Sequence, residues 1–155
     1  MKTLLLLTCI VILSANLAFA QGGVIVFFGD PGGTDCNLWD NVTGLCLYYV
    51  FHFLHGGATA SQFSATKPAC FGAMWLNDTS VFTVKIGDSQ SGVAIGYGQC
   101  MPAPTHILTI NYFCQATTGS CSEYRAGPYP AVASGKIEVV DCNDNLIYGD
   151  AICSV

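Results

Sequence analysis

An export leader followed by an even set of cysteines constrains this chain more than any other feature. Met1 and Lys2 give a short positive start, an apolar run covers Leu4–Val11, and Ala18–Ala20 has the small-x-small pattern of a cleavage site. We therefore predict a signal peptide at residues 1–20 and a single mature domain at residues 21–155. Such a protein is secreted into the extracellular or periplasmic space, where disulfides persist.

The cysteines predict a fully oxidised domain. Cys9 leaves with the leader, so eight of the nine cysteines remain, and an even number fits four bridges. The pairs that we predict are Cys114–Cys121, Cys70–Cys100, Cys36–Cys142 and Cys46–Cys153. The first pair lies on either side of a six-residue polar loop, and the second lies in loops that flank the same strands. Sequence alone leaves the other connectivities open.

Charge and hydropathy exclude two classes of partner. Beyond Lys2, the cations are Lys67, Lys85, Arg125 and Lys136, set against ten acidic residues. That balance cannot supply the basic patch that neutralises a phosphate backbone, so nucleic acid is not an expected partner. No second apolar run reaches the length of a bilayer span, so we expect no membrane span once the leader is removed.

Apolar residues recur with a period of two along the chain, which is typical of half-buried strands. Phe82, Val84 and Ile86 form one such series, and Val93, Ile95 and Tyr97 form another. Further strands are predicted at Val24–Phe28, Leu45–Leu54, Leu108–Cys114, Lys136–Val140 and Leu146–Tyr148. Two of these, Val24–Phe28 and Leu45–Leu54, are apolar on both faces, which indicates central strands or strands covered by loops. About seven or eight short strands between Gly- and Pro-rich connectors predict an all-β fold, a single antiparallel β-sandwich stabilised by disulfides.

A family resemblance agrees with this fold class. The segment Leu47–Phe63, which ends in GGATASQF, and the later segment Thr105–Ile110 are similar to the strand order of cohesin-like β-sandwich modules. The resemblance implies an immunoglobulin-like or cohesin-like sandwich in which Phe63 points inward. The chain also resembles small exported bacterial β-proteins without an assigned activity. Neither resemblance assigns a functional residue.

A serine-hydrolase interpretation starts from Gly87–Gly92, which reads GDSQSG. Trypsin-like proteases have Gly-Asp-Ser at the nucleophile but follow the serine with Gly-Gly, and the Gly-x-Ser-x-Gly pattern is also missing. His52, His55 and His106 leave a general base possible. A hairpin loop explains the same residues without catalysis, and it is the interpretation that we prefer.

Metal sites have two sets of candidate ligands. His52 and His55 have the H-x-x-H spacing, but a strand places residues three apart on opposite faces, so we expect His52 on an apolar face with its ring bonded to backbone. Oxygen side chains at alternating positions suggest calcium, although the EF-hand pattern fails. The calcium candidates are Asp141, Asn143, Asn145 and Asp150, with Asp30, Asp35 and Asp40 in neighbouring loops. An Asx-turn hairpin uses Asp141 and its neighbours without an ion, so we predict no metal and no cofactor.

Loop aromatics suggest a carbohydrate-binding surface, because β-sandwiches often present sugar-stacking rings. The candidates are Trp39, Trp75, Tyr124 and Tyr129. Asn41 and Asn77 begin glycosylation acceptor patterns that matter in a eukaryotic source.

The sequence therefore predicts a non-catalytic extracellular module that works by recognition or as part of a structure. Its expected partner is an extracellular protein or a glycan. The first alternative is a carbohydrate-binding module that uses the loop aromatics. The second is a small secreted hydrolase built around His106 or His52.

Overall fold

The computed structural model describes residues 23–40, 42–116 and 124–152. The leader, Asn41, Cys121 and Cys153 lie outside the described residues. Within these ranges the chain is all-β, without a helix, and so without a helix able to cross a membrane. The strands are β1 (Gly23–Phe28), β2 (Thr43–His52), β3 (Ala58–Phe63), β4 (Met74–Thr79), β5 (Val84–Asp88), β6 (Gly92–Met101), β7 (Thr105–Gln115), β8 (Ile137–Asp141) and β9 (Leu146–Ile152).

The nine strands form one mixed, nearly closed sheet in the order β4-β7-β2-β1-β9-β8-β3-β6-β5. The prediction of an all-β fold is confirmed, but the sheet is not purely antiparallel. β9 pairs with β8 in antiparallel orientation along one edge. Along its other edge, β9 pairs with β1 in parallel. β9 thereby joins the β4-β7-β2-β1 half of the sheet to the β8-β3-β6-β5 half.

The two halves of the sheet share one hydrophobic core. Phe27 of β1, Val50 of β2 and Ile110 of β7 meet Phe63 of β3 and Ile95 of β6, and all five side chains are fully or almost fully buried. Phe63 is thus inward-facing, as expected. Side chains of this kind contribute about 1.5–3 kcal/mol each through burial, so the core is the main source of stability.

A second, smaller apolar cluster explains why β1 and β2 are apolar on both faces. Val26, Phe28 and Phe51 point away from the main core and are nevertheless buried. The β1–β2 loop covers them, since Cys36 packs against the cluster and a side chain at Gly33 would meet the Phe51 ring at 3.3 Å. The predicted covering of these strands by a loop is confirmed.

The disulfides follow the topology of the sheet and not proximity in sequence. Cys46 of β2 bonds Cys114 of β7, with Cα atoms 5.9 Å apart, because these neighbouring strands bring residues 68 apart onto one inner face. Cys100 of β6 bonds Cys142, the residue that follows β8, with Cα atoms 5.2 Å apart. This bridge joins the two strands that flank β3.

All four predicted disulfide pairs are therefore wrong: Cys114–Cys121, Cys46–Cys153, Cys70–Cys100 and Cys36–Cys142. Cys36 and Cys70 are also disulfide-bonded. Bridges of this kind fit an oxidising extracellular or periplasmic compartment.

Candidate recognition surface

Ser89, in the GDSQSG segment, is buried and links the two edge strands of the sheet through hydrogen bonds. Ser89 follows edge strand β5 and is fully buried, and its hydroxyl donates to Asp78 Oδ1 of edge strand β4 at 2.8 Å. The Ser89 amide donates to the other carboxylate oxygen, and Trp75 Nε1 donates to Oδ1 at 3.0 Å. Gln90 Nε2 in turn donates to Ser89 Oγ at 3.0 Å. The Ser89 hydroxyl therefore donates to a carboxylate of edge strand β4 and not to one of the three histidines.

The three histidines lie in different surroundings. His52 is fully buried and stacks on Tyr97 with ring centroids 5.4 Å apart, and burial lowers its pKa to about 4. Among the described residues neither ring nitrogen has a hydrogen-bond partner, so the expected bond to backbone is not found there. His55 is exposed, and His106 Nε2 lies 3.0 Å from both the Leu108 carbonyl oxygen and Thr109 Oγ1. His52 is thus buried whereas His55 is exposed to solvent.

The calcium candidates hold their loops through hydrogen bonds. Asp141 accepts the backbone N–H groups of Asn143 and Asn145, both at 2.8 Å, and the Asn145 amide at 3.0 Å, which are the bonds of an Asx turn. Asp30 likewise accepts N–H groups from the β1–β2 loop, and these bonds lower its pKa. In the ranges that the structure covers, no three His, Cys, Asp or Glu side chains are grouped to hold a metal ion.

The four candidate aromatics do not share one surface. Tyr124 is buried in the core, where its hydroxyl donates to the Ala65 carbonyl oxygen at 2.7 Å. Trp75 is partly buried and points its indole N–H at Asp78, and Tyr129 packs over Gly92. Trp39 alone of the four is mostly exposed, at 61 %. A stacking platform built from all four rings is therefore absent.

A shallow aliphatic groove of about 260 Å³ lies on the outer face of the β8-β3-β6-β5 half. Its floor consists of small residues, Ala60 of β3 with Ala94 and Gly96 of β6. Val84 and Ile86 of β5 form one wall, and the other wall is formed by Val140 of β8 and Leu146 of β9. Val84 and Ile86 leave apolar surface of the groove wall in contact with water.

One polar pair interrupts the aliphatic lining. Gln62 of β3 and Glu138 of β8 are direct partners in the sheet register, and Gln62 Nε2 donates to Glu138 Oε2. Both side chains line the groove. Glu138 is only 8 % exposed, so this carboxylate already lies mostly out of water.

Sequence reasoning missed the groove because it predicted that the apolar face of β5 points into the core, whereas that face points to solvent. The alternation of Phe82, Val84 and Ile86 predicts that all three face the core, yet Val84 and Ile86 are exposed, Ile86 at 64 %. The signal lay in the neighbouring strand, where Ala94 and Gly96 occupy the outward positions of β6. Small residues beside an apolar edge strand leave a depression, which is visible only once β5 and β6 are known to pair.

A second exposed apolar row lies on the outer face of the other half. Leu45 of β2, Phe113 of β7 and Met74 of β4 are direct cross-strand neighbours. Leu45 is 63 % exposed, close to the exposure of Ile86. The row does not line the groove, so it offers a matched control surface.

Comparisons of this chain with protein-family models, with curated proteins and with solved structures found no match.

Proposed function

We propose that this chain is a secreted, non-catalytic recognition module that binds a segment of a partner protein in the aliphatic groove. The observation that carries the proposal is the groove itself, in which Val84 and Ile86 stand exposed beside a floor of Ala60, Ala94 and Gly96. Maintaining exposed β-branched side chains on an edge strand favours aggregation, so a binding role is the simplest reason for them. The domain is proposed to begin after cleavage at Ala20.

The groove dimensions suit a peptide segment. Between β5 and β8 lie only β3 and β6, so the two walls are three strand spacings apart, or roughly 14 Å. The wall side chains narrow that gap, so the groove suits an extended segment better than a helix about 10–12 Å in diameter. We also propose a cohesin-like sandwich, in agreement with the fully buried Phe63 and with Leu108 and Ile110 on the inner face of β7.

The lining favours protein over glycan. Sugars are bound by flat aromatic rings and several polar groups, whereas this groove has no aromatic ring in its lining and is aliphatic apart from Ser61, Gln62 and Glu138. The alternative of a carbohydrate-binding module rests on Trp39, the most exposed of the loop aromatics. The hydrolase alternative has less support, because Ser89 is buried against Asp78.

Selection from a random peptide library displayed on phage tests the proposal. The oxidised protein serves as bait, and enriched peptides are then measured against Ile86→Asp and Leu45→Asp. These positions are equally exposed strand residues on opposite halves of the sheet. We expect Ile86→Asp to reduce binding at least about tenfold, since it places a charge on the groove wall, and Leu45→Asp to leave it unchanged.

Three results would contradict the proposal. The first is equal loss of binding in both variants. The second is the absence of any groove-dependent peptide, and binding on a glycan array that Trp39→Ala abolishes would then favour the carbohydrate-binding alternative. The third is turnover in a screen for ester, glycoside and peptide hydrolysis that His106→Ala or His52→Ala removes.

A further inference from the structure

Glu138 is the charged group of the groove, and it has little to neutralise it. Gln62 supplies its one hydrogen bond within the part of the chain that the structure describes. Lys85 of β5 is not among the residues that line the groove, and its Nζ donates to the Gly87 carbonyl oxygen at 3.0 Å. The carboxylate is therefore held by a neutral amide in a groove whose other lining residues are aliphatic or small, with Ser61 the one further polar residue.

An occupant that fills the groove removes the remaining water from this carboxylate. Burying a charge without a compensating partner is costly, and a purely aliphatic segment offers none. A lysine or arginine side chain offers the strongest complement, through a charge-assisted hydrogen bond. On the basis of the proposed function, we infer that the groove takes a protein segment in which a basic residue lies among aliphatic ones and pairs with Glu138.

The same carboxylate argues against two other occupants. A symmetric dimer through this face would bury the Glu138 carboxylate of each copy without bringing a cation from the groove lining, and two chains of net charge −5 would repel each other. An acyl chain fits the aliphatic walls but carries no cation. The charge complementarity thus favours a different chain with a basic segment.

The test uses peptides selected on the oxidised protein. Among peptides whose binding Ile86→Asp abolishes, we expect lysine or arginine between aliphatic residues. Glu138→Gln should weaken them at least about tenfold and remove most of the salt dependence. Asp144→Asn is the matched control, since it removes the same unit of charge from an exposed turn outside the groove lining and should change affinity little.

A double-mutant cycle guards against a general effect of Glu138→Gln on folding. Replacing the basic residue of the peptide by methionine should weaken binding to the original protein and have little further effect on Glu138→Gln. Groove-dependent peptides that lack a basic residue and ignore Glu138→Gln would overturn this inference and leave the proposed function standing. Absence of any groove-dependent peptide would overturn both. A dimer in sedimentation equilibrium that Ile86→Asp dissociates would assign the groove to a second copy and overturn the inference.

Discussion

His52 is a buried imidazole whose ring nitrogens have no hydrogen-bond partner in the part of the chain that the structure covers, and so it couples the free energy of unfolding to pH. The folded pKa of about 4 lies below the usual 6.5, so folding favours the neutral ring. As pH falls from 6.5 towards 4, the unfolded chain gains a proton that the folded chain does not, and stability is lost. Once the pH is below both pKa values, the free energy of unfolding has fallen by about 3 kcal/mol.

We therefore expect His52→Phe to flatten the dependence of unfolding free energy on pH between 7 and 4.5. Denaturant unfolding at both pH values measures this dependence. His55→Phe is the control, because His55 is exposed and should leave the slope intact. Asp30 and Asp141 have lowered pKa values, so their contributions are lost only at lower pH. An unchanged slope in His52→Phe would show that another group titrates.

Ser89 acts at the residue scale as a hydrogen-bond donor to a buried carboxylate. Ser89→Ala leaves Asp78 with the Ser89 amide and Trp75 Nε1 but removes the hydroxyl bond of 2.8 Å. We expect a loss of about 1–3 kcal/mol in unfolding free energy. Thermal or denaturant unfolding of Ser89→Ala beside Ser91→Ala, an exposed serine of the same turn, measures it. Equal stability of the two variants would mean that this hydrogen bond contributes nothing.

At the scale of elements, the Cys100–Cys142 bridge passes over the start of β3. A Cβ atom at Gly57 would lie 2.8 Å from Cys142 Sγ and from the Met101 carbonyl oxygen, whereas a Cβ at Gly56 would meet nothing within 4 Å. Both glycines have φ of 89°, so alanine is strained equally at each. Gly56→Ala should lower the free energy of unfolding by about 1 kcal/mol. Gly57→Ala should lower it by about 1–3 kcal/mol more, because its Cβ meets Cys142 Sγ and the Met101 carbonyl oxygen.

Denaturant unfolding of Gly56→Ala and Gly57→Ala measures the difference in their free energies of unfolding. That difference is the cost of the steric contact at Gly57. Equal costs would mean that the bridge is displaced without penalty.

The bridges themselves connect strands that are neighbours in the sheet. Digestion under non-reducing conditions should recover peptides that link Cys46 to Cys114 and Cys100 to Cys142. Cys36 and Cys70 should be absent from the free-thiol fraction. Recovery of Cys114 linked to Cys121 would contradict the β2–β7 assignment of its partner.

At the scale of the whole molecule, the sequence predicts local strands better than their arrangement. β6 and β7 were predictable because Val, Ile and Tyr alternate with small or polar residues. β3 was not predicted as a separate strand, since it consists mostly of small residues, and β4 was missed because a bulge near Leu76 breaks its alternation. Local patterning cannot reveal which strands become neighbours.

The same limit explains the candidate site. The cysteines were identified from composition, but their pairing depends on β2 meeting β7 and on β3 lying between β6 and β8. The groove depends on β5 being an edge. Glu138 and Gln62, 76 residues apart, meet only through the β3–β8 register.

The parallel pairing of β1 with β9 determines how the domain bears mechanical load. Tension applied through the segments before β1 and after β9 pulls two side-by-side, like-directed strands in opposite directions and loads their hydrogen bonds in shear. The bonds of the ladder then resist together, whereas an antiparallel terminal pair would be peeled apart one bond at a time. We expect single-molecule stretching to require high force for the first rupture and to release more chain after reduction.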